Sequence, residues 1–167
     1  MTTSAQLEPS KEIVKMHSEN LKLSGQLNIV LKDKTGNIKD QREVKNLVVN
    51  SGLAFIASRM VGTSKSIMSH MALGAGTTAA AASQTDLVSI LGSREALDST
   101  SISGTNSEKV VYVSSFEAGD ATGAVTEAGM FNDSTSGDML CRTVFSVVNK
   151  AADDTMSVTW TITLAAS

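Results

Sequence analysis

The chain has 167 residues, of which 19% are charged and 4% aromatic, and its formal net charge is −3. The negative balance argues against nucleic-acid binding through phosphate neutralisation, and no run approaches the roughly 20 apolar residues that a membrane span requires. The single cysteine, Cys141, excludes an internal disulfide framework and a cysteine-based zinc site.

Residues 1–19 are polar and mixed, and Pro9 interrupts them. Ile13, Val14 and Met16 fit a short helix that carries charged residues on its other positions. Two interpretations stand side by side: a tail without fixed contacts, or an arm that orders on a neighbouring subunit. The sequence therefore predicts an N-terminal arm, 1–19, followed by one β domain, 20–167.

The domain opens with a predicted hairpin. In 20–32, Leu27, Ile29 and Leu31 fall on one face and polar residues on the other, which is the period of a strand. The segment 33–37 has turn chemistry, and a returning strand is predicted over 38–49.

A single helix is predicted at about 51–61, capped by Asn50 and Ser51 and ended by Gly62. Its apolar residues have i, i+3, i+4 and i+7 spacing, which predicts one buried stripe. These residues are Leu53, Ile56, Ala57 and Met60. We expect the helix to close one open end of the sheets.

Further strands are predicted at 67–73, 94–102, 108–116, 124–131, 139–148 and 155–164, with turn-rich breaks between most of them. Strand 139–148 carries apolar groups on both faces, with Leu140, Val144 and Val148 on one and Phe145 and Val147 on the other. It should lie centrally or under a subunit contact. In the last strand every second residue is apolar, namely Met156, Val158, Trp160, Ile162 and Leu164. The pattern predicts an all-β fold, an antiparallel β-sandwich or jelly-roll-like domain with one short helix.

The sequence offers no convincing catalytic, metal or cofactor set, so we expect a protein that is not an enzyme. Glu127 is the one carboxylate in an otherwise apolar strand, and a buried or half-buried ion pair with Arg94 or Arg142 explains it better than acid catalysis. The histidines, His17 and His70, lack ligand-spaced partners, and Cys141 fits a small core residue.

Other chemical candidates have simpler interpretations. The segment 74–78 contains two glycines but not the spacing of a phosphate-binding loop, and a wide surface loop is the better interpretation. Five loop aspartates could hold Ca²⁺ weakly but more plausibly initiate turns. They are Asp120, Asp133, Asp138, Asp153 and Asp154.

Three stretches resemble a family of small virion proteins of tailed bacteriophages. They are 46–60 (NLVVNSGLAFIASRM), 68–82 (MSHMALGAGTTAAAA) and 123–164, which contains TEAGMF and LCRTVF. The resemblance implies a structural role in the particle, as a head-decoration (cement) or tail-fibre-like protein, and it does not cover the first 25 residues. It brings no catalytic residues with it.

The sequence thus predicts a structural protein of a tailed phage particle, first of all a capsid decoration protein that stabilises the shell. A tail, neck or fibre component and a carbohydrate-binding module for the host surface are the alternatives. Its expected partners are copies of itself, as a homotrimer, and the major capsid protein or another virion protein. The N-terminus has no secretory pattern, so we expect synthesis in the host cytoplasm and residence in the virion.

Overall fold

The computed structural model describes residues 21–62 and 65–166. Ten strands and one helix form in chain order. They are β1 (Leu21–Lys32), β2 (Ile38–Lys45), β3 (Leu47–Val48), α1 (Asn50–Met60), β4 (His70–Gly74), β5 (Glu95–Ala96), β6 (Ser99–Ser103), β7 (Lys109–Phe116), β8 (Gly123–Phe131), β9 (Met139–Lys150) and β10 (Thr155–Ala166). The predicted arm, 1–19, lies outside the described residues.

Two five-stranded antiparallel sheets pack against each other, which confirms the predicted all-β sandwich with one short helix. Sheet A has the order β2-β1-β10-β7-β6, and sheet B has the order β3-β9-β8-β4-β5. The longest pairing joins β1 to β10, from Leu21 opposite Ala166 to Lys32 opposite Thr155.

The core lies between the sheets and follows the alternation in the sequence. Leu27 sits directly opposite Trp160, and both are fully buried. From sheet B, Met71, Val125 and Met130 face them across the sandwich. β1 and β10 therefore contribute every second side chain to the core, as the period of two requires.

Two predicted strands prove to be two strands each, because the chain crosses from one sheet to the other. The predicted strand 38–49 divides at Asn46, whose Oδ1 accepts a hydrogen bond from Trp160 Nε1 at 2.9 Å. The predicted strand 94–102 divides where Leu97 N donates to Ser69 O of sheet B and Asp98 N donates to Val113 O of sheet A. Apolar and polar residues continue to alternate where the chain crosses between sheets, so the sequence pattern does not reveal the crossing.

The helix forms as predicted, but its cap and its buried face differ from the prediction. Val49 is the N-cap residue, and Ser51 Oγ donates instead to Met139 O at 2.8 Å. The buried helix residues are Gly52 and Phe55, whereas Leu53 is 51% exposed and Met60 83% exposed. Gly52 explains the difference: a Cβ there would overlap the Leu140 carbonyl oxygen, so the helix turns its narrowest side to β9.

Strand β9 is buried on both faces only in its first half, Met139 to Thr143, among the described residues. Its pairing with β8 shifts by two residues between Val144 and Val148. This irregularity changes the facing pattern, so Phe145 and Val148 both pack on the core while Val147 is 44% exposed. The predicted division of faces is therefore wrong for this strand.

Candidate functional site

The most concentrated polar chemistry in the described chain surrounds the Glu127 carboxylate, on the outer face of sheet B. Oε1 accepts hydrogen bonds from the backbone N–H of Gly76 at 2.9 Å and of Ser89 at 2.7 Å. Oε2 accepts from Val88 N at 3.1 Å and from Arg142 Nε and Nη2 at 2.9 and 2.7 Å. Five donors thus meet one carboxylate, which leaves it little capacity for a substrate.

Arg142 is the ion-pair partner, and both side chains are fully buried. This confirms the predicted buried pair and selects Arg142 over Arg94. The guanidinium also donates from Nη1 to Gln84 Oε1 at 2.9 Å and from Nη2 to the Thr78 carbonyl at 3.0 Å. Because the planar guanidinium donates to several fixed acceptors, it is held in one orientation. The ion pair therefore attaches the segment 76–89 to β8 and β9.

Two glycines let that segment approach the carboxylate. A Cβ at Gly76 would overlap Glu127 Oε1, and a Cβ at Gly74 would lie 2.6 Å from the same atom. The segment after β4 is a surface loop, as the sequence predicts, since most residues of 77–90 are exposed, but it is fixed to the sheet by these contacts. It packs over the outer face of sheet B, with Leu87 against a small cluster formed by Val49, Ala72, Phe131 and Met139.

The Glu127 carboxyl stays ionised at neutral pH. Burial raises its pKa, but the hydrogen bonds from Ser89, Arg142, Val88 and Gly76 outweigh that effect and hold the pKa below its usual value. A general acid needs the opposite, a raised pKa and access to a substrate. The geometry and the electrostatics both indicate a structural centre.

Arg94, the other predicted partner, binds elsewhere. Its guanidinium carbon lies 3.6 Å from the centre of the Phe131 ring. Nη1 donates to the carbonyls of Asp133 and Ser136 at 3.0 and 2.5 Å, and Nη2 lies 3.2 Å from Asp86 Oδ2. Arg94 therefore anchors the turn between β8 and β9.

A second buried charged group was not singled out by the sequence. Lys150 Nζ is buried at the end of β9 and donates to the carbonyls of Glu117 and Asp154 at 2.7 and 2.8 Å. Burial lowers the pKa of Lys150, while Asp120 and Asp154 act in the opposite direction. Because its partners are mostly backbone carbonyls, no sequence pattern marks this lysine.

The remaining predicted residues have structural surroundings. Asp133 accepts from the N–H groups of Thr135 and Ser136 at 2.9 Å each, the turn role predicted for it. Asp154 is buried and lies 2.6 Å from Lys39 Nζ. Cys141 is buried in the core, and burial raises the pKa of its thiol.

Of the other five candidates, four lie among the described residues and have similar surroundings. Asp138 and Asp153 lie near lysines, at 2.9 Å from Lys65 Nζ and 3.9 Å from Lys34 Nζ respectively. Asp120 accepts from Glu117 N at 3.1 Å, and His70 Nδ1 lies 2.8 Å from Ser69 Oγ. His17 falls outside the described residues.

Residues 21–62 and 65–166 contain no group of three or more His, Cys, Asp and Glu side chains placed to hold a metal ion. Within the same ranges, no helix has the length and hydrophobicity to cross a membrane.

The outer face of sheet A carries a row of uncharged polar side chains, with Lys109 beside them. On β10 it presents Thr159, Thr161 and Thr163, which neighbour Gln26 and Asn28 on β1. These side chains line a shallow depression of about 400 Å³.

The aromatic side chains that could stack on a sugar are not on a surface. Trp160 is fully buried and Tyr112 is 8% exposed. Burial raises the pKa of the Tyr112 hydroxyl to about 12. Carbohydrate recognition through these two rings is therefore disfavoured.

Comparison with protein-family models, curated proteins and solved structures gives no match to this chain. The resemblance to phage virion proteins thus stays an expectation from the sequence. Its three stretches do meet in space: Val49 belongs to the first, Ala72 to the second, and Phe131 and Met139 to the third, and these four residues form one cluster.

Proposed function

We propose that this chain is a structural protein of a tailed phage particle, most specifically a decoration protein that binds the assembled capsid and stabilises it. The observation that supports this best is the use of the buried charges. Glu127, Arg142 and Lys150 each bind several groups of the same chain, and none is left to act on a substrate. A stiff sandwich whose charges stabilise its own loops suits a mechanical role.

The outer face of sheet A is the proposed docking surface for the capsid. Its threonines, together with Gln26 and Asn28, offer uncharged hydrogen-bonding groups, and the β10 threonines are half-buried within the sheet; Lys109 lines the same depression. The uncharged groups lose less solvation when a protein covers them than ionised groups do.

Self-association is proposed to use the free edge of sheet A at β6. All five residues of β6 are exposed, none is charged, and Ile102 is 70% exposed. The opposite edge, β2, has the sequence IKDQREVK and carries charges of both signs. Charged edge strands resist pairing with other chains, so β6 is the edge open to another copy.

The proposal is tested on phage particles that lack this protein. A partner that binds only the assembled shell stabilises it by mass action. Such particles should release DNA at a lower temperature, and purified protein added back should restore the wild-type release temperature. Protein with Thr159→Arg and Thr161→Arg should not restore it, whereas protein with Thr77→Arg and Ala79→Arg, in an exposed part of the loop over sheet B, should. If particles without the protein are equally robust but fail to adsorb to cells, the fibre or host-binding alternative replaces this proposal.

A further inference from the structure

An apolar groove opens at one end of the sandwich, beside the helix. It has a volume of about 350 Å³, and apolar side chains from both sheets and from α1 form nearly all of its wall. Its floor includes Leu23, Val110 and Ile162 of sheet A, and the helix contributes Ile56 and Met60. Among the described residues, the Met60 side chain is 83% exposed.

The groove accounts for part of the helix stripe that the sequence predicts to be buried, because Ile56 and Met60 line it and Leu53 and Ala57 do not. Gly52 and Phe55 are the buried residues of the helix, whereas Ile56, which packs partly against the core, and the exposed Met60 both line the groove. Apolar side chains at such a position, next to an open cavity, mark a docking site.

The position of the chain before β1 indicates the occupant. β1 begins at Leu21, two residues before Leu23, which lines the groove, and Leu23 pairs with Leu164, which lines it too. Residues 1–20 therefore join the described chain at the rim of this groove. They include one short apolar run, Ile13, Val14 and Met16, with Glu12 beside it.

We propose that this groove binds the chain's own N-terminal segment, with Ile13, Val14 and Met16 covering Ile56 and Met60. Residues 17–20 (HSEN) link the run to β1 and contain Ser and Asn, which favour turns. Four residues span at most about 13–14 Å, enough to reverse the chain at the rim. Glu12 then lies near Arg59, which also lines the groove and carries the opposite charge.

The segment of the same copy is favoured over that of a neighbouring copy. A short linker holds its end at an effective concentration on the order of millimolar. Protein at micromolar concentration cannot compete with that through a second copy. This inference does not depend on the proposed role in the virion.

The first test is disulfide trapping in the full chain with Val14→Cys and Met60→Cys. Oxidation should give an intrachain disulfide, seen as a faster-migrating monomer whose mass falls by two hydrogens. The control pairs Val14→Cys with Lys34→Cys, in the turn after β1, a strand of 12 residues that spans about 40 Å. That pair should stay reduced. An interchain disulfide at Met60 would replace this proposal with arm exchange between copies, and no cross-link at Met60 would overturn it.

The second test does not depend on disulfide geometry. Ile13→Asp with Met16→Asp should free the groove, so the fluorescence of an apolar dye such as anilinonaphthalene sulfonate should rise several-fold, and amide exchange in 50–60 should accelerate. Thr2→Asp with Thr3→Asp adds the same charge to the same segment and should change neither. Circular dichroism checks that both variants keep the sandwich. Equal dye binding by both variants and the parent would overturn the proposal.

Discussion

Trp160 reports directly on the core, because it is the one tryptophan of the chain and is fully buried between the sheets. Replacing it by Ala should lower the free energy of unfolding by about 3–5 kcal/mol, the range for deleting a large buried aromatic side chain. Trp160→Phe should lower the free energy of unfolding by less, because it keeps an aromatic ring in the core. Its remaining cost includes the lost hydrogen bond to Asn46 Oδ1. Urea unfolding at neutral pH measures both.

The emission of native Trp160 provides an independent check. It should be blue-shifted and unchanged by added saccharides. Emission typical of a water-exposed indole, quenched by a host polysaccharide, would contradict the core position and favour the carbohydrate-binding alternative.

Substitution of Glu127 tests whether its buried ion pair with Arg142 stabilises the fold. Glu127→Gln keeps the side-chain size but leaves Arg142 buried without a counter-charge, so the free energy of unfolding should fall by about 3–5 kcal/mol. Glu43→Gln, at an exposed position of β2, serves as the control and should change stability little. Unfolding of both variants at pH 7 measures the difference. A Glu127→Gln protein as stable as the parent would show that the pair does not hold the loop.

The pH dependence of that difference follows from the lowered pKa of Glu127. A carboxyl whose pKa is depressed in the folded state stabilises the fold above its unfolded-state pKa, and the stabilisation is lost as pH falls through the folded value. The parent should therefore lose more stability than Glu127→Gln when the pH is lowered from 7 towards 3. Parallel pH curves for the two proteins would contradict this.

At the scale of elements, the attachment of α1 to β9 depends on Gly52. In an ordinary helix, replacing Gly by Ala raises stability by roughly 0.5–1 kcal/mol. Here the new Cβ would overlap the Leu140 carbonyl oxygen, so Gly52→Ala should lower the melting temperature. Leu53→Ala, at the neighbouring exposed position, should leave it nearly unchanged. A Gly52→Ala protein that melts higher than the parent would contradict the packing of the helix.

The elements also show what the sequence could predict. Strict alternation of apolar and polar residues predicted most of the strands and the burial of Trp160, because that alternation depends only on which face of a strand is buried. The lone carboxylate in an apolar strand predicted the Glu127 ion pair, because a buried charge needs a partner. Alternation does not show which strand lies beside which, however, so the sequence did not predict that the chain passes between the sheets at Asn46 and at 97–98.

Other features depend on contacts that no local pattern records. The loop over sheet B needs Gly74 and Gly76 beside a carboxylate some fifty residues away in the chain. The buried face of α1 is set by Gly52 against β9; of the apolar stripe that predicted burial, Ile56 and Met60 line a groove and Leu53 is exposed. Lys150 binds backbone carbonyls, which are present at every position and therefore leave no signature.

At the scale of the whole molecule, the sequence predicts a homotrimer, and the proposed contact between copies is the exposed edge β6. Light scattering of the purified protein should give three times the chain mass of 17.4 kDa. Ile102→Lys should weaken association, because it adds a charge to the uncharged edge. Ile38→Lys, at an exposed apolar position on the opposite edge, should not. A monomer both free in solution and on the particle would contradict the prediction.

We propose that this sandwich is a capsid decoration protein, and the location of the protein on the particle separates that role from one in the tail, neck or fibres. Electron microscopy of intact particles of the phage that encodes it, with the protein carrying a gold-binding tag at its C-terminus, measures the location. For a decoration protein, the label should be distributed over the outer surface of the head and absent from particles that lack the gene. Label confined to the tail, neck or fibres, or particles that carry none of the protein, would contradict it.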